Sequence, residues 1–255
     1  MSYFFKLGEN MYDFSSTMGT FTGQHAFALL LTLAWALYTV HDYKKSSHKA
    51  ACRKRAVIMV WLVILSRHVV EFATGQYTVH RLPFHLCTVF CLFKIADAWK
   101  ENNYTKEVLF LLTFPAALLA NLFPDWTNQP LWNFNTIQQF AFHAMIINYV
   151  LMRYFAGEIQ PQLKKIWMPM TALYGILPFI FFINHQLGTN FFFISAYSPG
   201  SPLESIYRAF GAFYVPVVAM VLLVIWLAIY LLLWVFCQKK LHLPGLGSVR
   251  NKISA

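Results

Sequence analysis

The residues of this chain that could do chemistry lie inside apolar stretches, where each polar side chain is costly and needs a reason. Arg67, His68 and Glu71 share one stretch; His85, Cys87, Thr88 and Cys91 the next; Gln138, Gln139, His143 and Asn148 a later one. Asn184 and His185 close another, and Asn121 a fifth. A cysteine within reach of a histidine is equipped for covalent catalysis, since the thiolate is a strong nucleophile and an imidazole can take its proton. An arginine held by a glutamate can grip an anionic oxygen. Arg67 and Glu71 are four apart, as are Gln139 and His143, so each pair shares a helix face; His68 and Glu71, three apart, can also meet. His85 and Cys87 are two apart, about 200° around a regular helix, which makes His85 a poor base for Cys87. The base is expected from another helix, His143 first and His68 second. Gln139, Asn184 or His185 could bind a developing oxyanion.

The elements that must position these groups are membrane helices. Of 255 residues, 58% are hydrophobic and 12% charged, too little charge to cover a soluble domain. The apolar blocks approach the roughly 20 residues that cross a bilayer as a helix, with no period-2 pattern of barrel strands. The fold class is therefore all-α, a polytopic helical bundle, with spans expected at about 24–42, 56–74, 83–99, 107–123, 136–155, 166–186 and 209–237. Residues 1–23 read as an outer interfacial segment, without the basic start and apolar centre of a signal peptide. Residues 238–255 read as a basic cytoplasmic tail. The loop HDYKKSSHKAACRKR, the segments WKENNYTKE and RYFAGEIQPQLKK, and the tail put about fifteen Lys/Arg on one side; Lys6, Arg81 and Arg208 lie on the other. The positive-inside bias then sets the N-terminus outside and the C-terminus in the cytoplasm. The net charge of +10 reads as a topology signal rather than a nucleic-acid surface.

Depth sorts the polar residues. At 1.5 Å per residue, Arg67 lies roughly 12 Å, Cys87 roughly 6 Å and His143 roughly 10 Å below the outer surface, and Asn184 and His185 at the outer end of their span. The set shares the outer half of the bilayer. Lys94, Asp97, Lys100 and Arg153 lie near the inner boundary and are expected to snorkel, leaving the deep inner half apolar. Structural roles compete with each assignment: membrane cysteines pack as small residues, histidines bond between helices, and Arg67 with Glu71 can be a plain ion pair. The four cysteines suggest no disulfide framework. No CxxC pair or His–Cys cluster points to a metal, and no Gly-rich loop points to a nucleotide or other cofactor.

The run RHVVEFATGQYTVHRLPFHLC resembles the signature of the YwaF-like family of bacterial integral membrane proteins. GQHAFALL, His143, GTNFFFI and AFYVP extend the likeness from His25 to about Trp234, while ISAYSPGSP lacks the basic residue expected before its proline. That family is similar to a eukaryotic polytopic group that includes an acyltransferase acting on ether-linked phosphatidylethanolamine. The resemblance implies a Cys nucleophile at Cys87 and a His at His143, and acyl transfer between membrane phospholipids serving as donor and acceptor. It implies phospholipid contacts for Arg67, His68, Glu71, His85, Gln139, Asn184 and His185, and residence in the cell membrane. The same residues leave two other functions open: a transporter or channel with Arg67, Glu71, His68 and His143 as an ion or proton path, and a receptor-like seven-span scaffold.

Overall fold

The computed structural model describes residues 3–6, 17–198 and 200–241. Its long elements are α1 (Gly23–Lys45), α2 (Lys49–Ala73), α3 (Leu86–Trp99), α4 (Asn103–Val108), α5 (Phe114–Leu122), α6 (Phe134–Phe155), α7 (Trp167–Leu187), α8 (Pro202–Phe210) and α9 (Tyr214–Leu241). A π-helical segment, Leu109–Thr113, joins α4 to α5 in one rod. Pro115 has no N–H to give the Leu111 carbonyl, so the ladder must widen ahead of it. The described residues are helical with no strand, as the composition requires.

Six helical stretches are long and apolar enough to cross a membrane, and α6 is not among them. α6 carries Asn135, Thr136, Gln138, Gln139, His143, Asn148 and Arg153, most of them buried. It tolerates them because α1, α2 and α5 surround it, so its polar groups face protein rather than lipid. The outer helices show the reverse pattern: Leu30, Leu31, Leu33 and Leu37 of α1 are exposed, as are Leu62, Leu65 and Val69 of α2.

Two expected spans begin elsewhere. The third does not start at Pro83: Val79–Arg81 is a 3₁₀ turn, Leu82 is extended (φ −55°, ψ 147°) and α3 starts only at Leu86, because a residue before proline is driven out of the helical region. The expected span 209–237 is divided. Gly211, at φ 50°, separates α9 from α8, a short amphipathic helix whose Glu204 pairs with Arg208 at 2.7 Å. Of the N-terminal segment, residues 3–6 and 17–22 are described and dock on one end of the bundle. Gln76 donates to the Phe5 carbonyl (2.9 Å) and Asn133 to that of Lys6 (2.8 Å). Residues 7–16 and 242–255 lie outside the described part, and with them most of the tail.

The two ends of the bundle differ, and they are named here by their loops. The basic end holds residues 46–48, 100–102 and 156–166; the aromatic end holds 74–85, 123–133 and 188–213. At the basic end, Arg153 of α6 donates to Asp97 of α3, to Glu101 (2.7 Å) and to Glu158 (2.9 Å). Arg53 of α2 meets Glu101 at 2.5 Å and Glu158 at 3.2 Å, and Lys106 meets Glu101 at 2.9 Å. Tyr149 and Thr105 donate to the two oxygens of Asp97 (2.8 and 3.0 Å), and Tyr43 of α1 donates to Glu158 (2.8 Å). Arg153 and Asp97 are 0% exposed. They do not snorkel, and the half of the bundle at the basic end is not apolar. The partners come from four other segments, so the network fastens α1, α2, α3, α4 and α6 together.

Candidate functional site

Glu71 is the buried carboxylate of the aromatic end, 1% exposed. Arg67 donates from Nε to its Oε1 at 2.8 Å, across the expected helical turn. Arg81, from the 3₁₀ turn, brings its own Nε within 3.8 Å of the same oxygen, and His68 Nδ1 lies 3.9 Å from Oε2. Neither Oε2 nor His68 Nδ1 is hydrogen-bonded among the described residues. Arg81 was not among the sequence candidates. Its signal was its place directly ahead of LPFHLC, which folds it back over α2.

The start of α3 is built differently from a regular helix. His85 is its N-cap residue, extended at φ −67° and ψ 148°, and offers no side-chain cap. The 200° separation from Cys87 therefore does not apply. The His85 carbonyl accepts from both Thr88 and Val89 at 3.0 Å, while the N–H groups of Leu86 and Cys87 have no acceptor among the described residues. Such first-turn donors, with the positive end of the helix dipole, suit an anionic oxygen or a thiolate. Cys87 is buried beside Val60, Ile64, Phe142 and Ile146.

His143 is buried on α6, stacked on Trp126 with ring centroids 5.1 Å apart and planes 5° apart. Its Nδ1 lies 2.8 Å from the Gln139 carbonyl. A carbonyl only accepts, so Nδ1 carries the proton and Nε2 keeps a lone pair. No hydrogen bond joins His143 to Cys87 among the described residues. They share a neighbour rather than a contact: Lys94 lies near both. Gln139 thus contributes through its backbone. Its neighbour Gln138 reaches the Val63 carbonyl at 3.2 Å and ties α6 to α2.

Asn184 grips the loop that follows it. It donates to the Phe191 carbonyl (3.0 Å), and its own oxygen accepts from Phe191 N–H (2.8 Å) and Thr189 (3.0 Å). It is a clamp for that loop. That loop presses Phe191 and Phe193 on the His85 ring, with centroids 5.1 and 5.9 Å away. Phe192 and Phe193 both sit at positive φ, 63° and 53°, a strained conformation that only a well-anchored loop keeps. His185 is exposed and outside the cluster. His25, seen in the sequence only within GQHAFALL, is a structural link: Phe21 N–H donates to Nδ1 (2.9 Å), so Nε2 donates to the Asn121 carbonyl (2.8 Å).

Lys94 does not snorkel either. It is 0% exposed, its Nζ has no hydrogen-bond partner among the described residues, and it lies 5.5 Å from the Tyr149 ring centroid. Residues 87, 91 and 94 follow the i, i+4, i+7 spacing of one helix face.

Among the described residues, seven helical rods, one of them the polar α6 enclosed by α1, α2 and α5, with this cluster at one end, define a polytopic α-helical membrane protein. The chain belongs to the TMEM164 family, whose family model matches residues 17–230. No curated protein and no solved structure matches it.

Proposed function

We propose that this protein is a lipid acyltransferase or transacylase that carries a fatty acyl chain on Cys87 and acts at the aromatic end, in the outer half of the cell membrane. The observation that carries the proposal is the joint placement of a buried thiol, two open backbone N–H groups and an arginine-rich rim on one approach to α3. The likeness of LPFHLC to the YwaF-like signature, and through it to the ether-phospholipid acyltransferase group, supports the same chemistry.

Arg67 and Arg81 hold the phosphate of a donor phospholipid, with Glu71 keeping both side chains in place. The Cys87 thiolate attacks the ester carbonyl. The Leu86 and Cys87 N–H groups receive the developing oxyanion. The carbon–oxygen bond breaks, the lysolipid takes the proton that the thiol gave up, and a thioester remains. His143 Nε2 then draws the proton from an acceptor lipid hydroxyl, whose oxygen attacks the thioester and frees the thiolate, and the imidazolium returns that proton to restore the thiol. Mass spectrometry of the protein purified from membranes tests this: an acyl adduct on the Cys87 peptide is expected, removable by hydroxylamine and missing from Cys87→Ala. Lipid remodelling by Cys87→Ala at the parent rate would sink the covalent mechanism. Labelling of introduced cysteines tests the sidedness: positions 78 and 128 should react from outside, and 47 and 160 should not.

One observation favours a proton path instead. Tyr149 stands between Lys94 and Asp97, so polar groups follow one another from Arg67 to Arg153. Reconstituted vesicles under a pH gradient decide this: passive proton flux abolished by Lys94→Met would establish it.

A further inference from the structure

Lys94 is unexplained by the mechanism above, and it is the most expensive side chain near the site. An ammonium buried without an acceptor costs several kcal/mol, so a lysine in such a place stays only as a neutral amine or beside an anion. The groups facing it are few. From α3 they are Cys91, the nearer thiol, Cys87 beyond it, and Asp97 three residues on; from α6, His143 and Tyr149. Both Asp97 oxygens are taken by Thr105, Tyr149 and Arg153, and no ion pair joins Asp97 to Lys94 among the described residues. Tyr149 keeps its phenol proton in the bond to Asp97, and His143 cannot be an anion. The thiols are what remains. The helix geometry agrees, because side chains lean toward the N-terminus of their helix, carrying Nζ from residue 94 up the stripe to the level of Cys91, with Cys87 one turn beyond. The rise between residues 87 and 94 is about 10.5 Å, and the lysine stem covers about half of it.

We infer that Lys94 is the charge partner of Cys87: the proton that leaves Sγ of Cys87 comes to rest on Nζ of Lys94, so that thiolate and ammonium arise together. This rests on Cys87 being the nucleophile. One proton shifts from sulfur to nitrogen and the cavity's net charge does not change, so no ion is brought in from water. When the thiolate is acylated, the ammonium's proton leaves with the lysolipid oxygen. Lys94 is then a positioning residue for the nucleophile, and His143 is left free for the acceptor hydroxyl, in keeping with its lack of a hydrogen bond to Cys87.

The test measures the rate at which a small iodoacetamide alkylates Cys87 between pH 6 and 10, read on the Cys87 peptide of the full chain in detergent. It needs no lipid transfer. The parent should react at neutral pH, Lys94→Met at least tenfold more slowly with its profile moved to higher pH, and Lys94→Arg should recover part of the rate. His143→Ala should leave the profile in place. Thermal stability is the second readout. Methionine matches the lysine stem without its amine, so Lys94→Met should melt at or above the parent temperature. Unchanged alkylation in Lys94→Met, or an equal slowing in His143→Ala, overturns the assignment. So does a fall in melting temperature with reactivity intact, which would make Lys94 structural. Parental alkylation behaviour in a protein that moves no acyl chain would condemn the transferase proposal alone.

Discussion

At the basic end, three carboxylates (Asp97, Glu101 and Glu158) meet three cations (Arg53, Lys106 and Arg153). At the aromatic end a single buried carboxylate, Glu71, meets Arg67, Arg81 and His68, and one of its oxygens is left over. Both clusters lie in helices that lipid surrounds, and both are made of the same residue types. They differ in saturation. In the first, tyrosines and a threonine complete the carboxylates, and only Arg53 Nε is left without a partner. In the second, Glu71 Oε2 and His68 Nδ1 remain open. A cluster that satisfies itself fastens helices; one that does not has capacity for a ligand.

The largest effect should come from breaking the closed cluster. Arg153→Met leaves the buried Asp97 without its cation and should cost about 3–5 kcal/mol, read as loss of monodisperse protein on size exclusion or a collapse in melting temperature. Survival at parental stability would show that the network is ornamental. Next comes the roof of the open cluster. Asn184→Ala leaves the Phe191 backbone without its partners and should cost about 2–3 kcal/mol. Acyl transfer should fall further than stability does, because Phe191 no longer covers His85; a parallel fall in both would deny the loop any role in the site.

Glu71→Gln should cost about 2 kcal/mol, less than Arg153→Met because Arg67 and Arg81 keep some exposure. Converting both Arg67 and Glu71 to methionine should hurt less than converting Arg67 alone, as removing a pair strands no charge. A double variant worse than either single one contradicts this. The smallest effect concerns pH. Burial alone would raise the Glu158 carboxyl, but hydrogen bonds from Arg153 and Tyr43 and the charge of Arg53 hold it below the usual range. A depressed carboxylate stabilises the fold above its unfolded value, about 4.3, and that stabilisation is lost as pH falls through the folded value. The melting temperature should stay level from pH 7 to about 5 and drop below about 4, and Glu158→Gln should flatten the drop.

The helices were legible because lipid imposes long apolar runs: α1 and α7 lie close to their expected bounds, while α2 starts two turns earlier than expected, in the basic loop. The pairing of Arg67 with Glu71 was legible too, being a matter of one turn. What escaped was non-local. Asp97 and Arg153 stand near span ends, where snorkelling is the cheap solution, and nothing in their neighbourhood announces Arg53, Glu101 or Glu158 as partners. Arg81 was hidden in a loop that only Pro83 and the late start of α3 fold inward. His85 was misjudged by assuming a helix one turn too early. Lys94, also expected to snorkel, is buried instead, which its place near a span end did not announce.

α6 is the helix that lipid hardly touches, and this bears on how the chain is made. A segment with Asn, Gln, His and Arg along its length partitions poorly from the translocation channel into a bilayer by itself. Its neighbours α1, α2 and α5 all leave the ribosome before it. When α6 emerges, the slot that receives it is already standing in the membrane, and α7 and α9 follow afterwards. Chain order thus does for α6 what hydrophobicity does for the others, and a permuted chain that began with α6 would strand it at the channel.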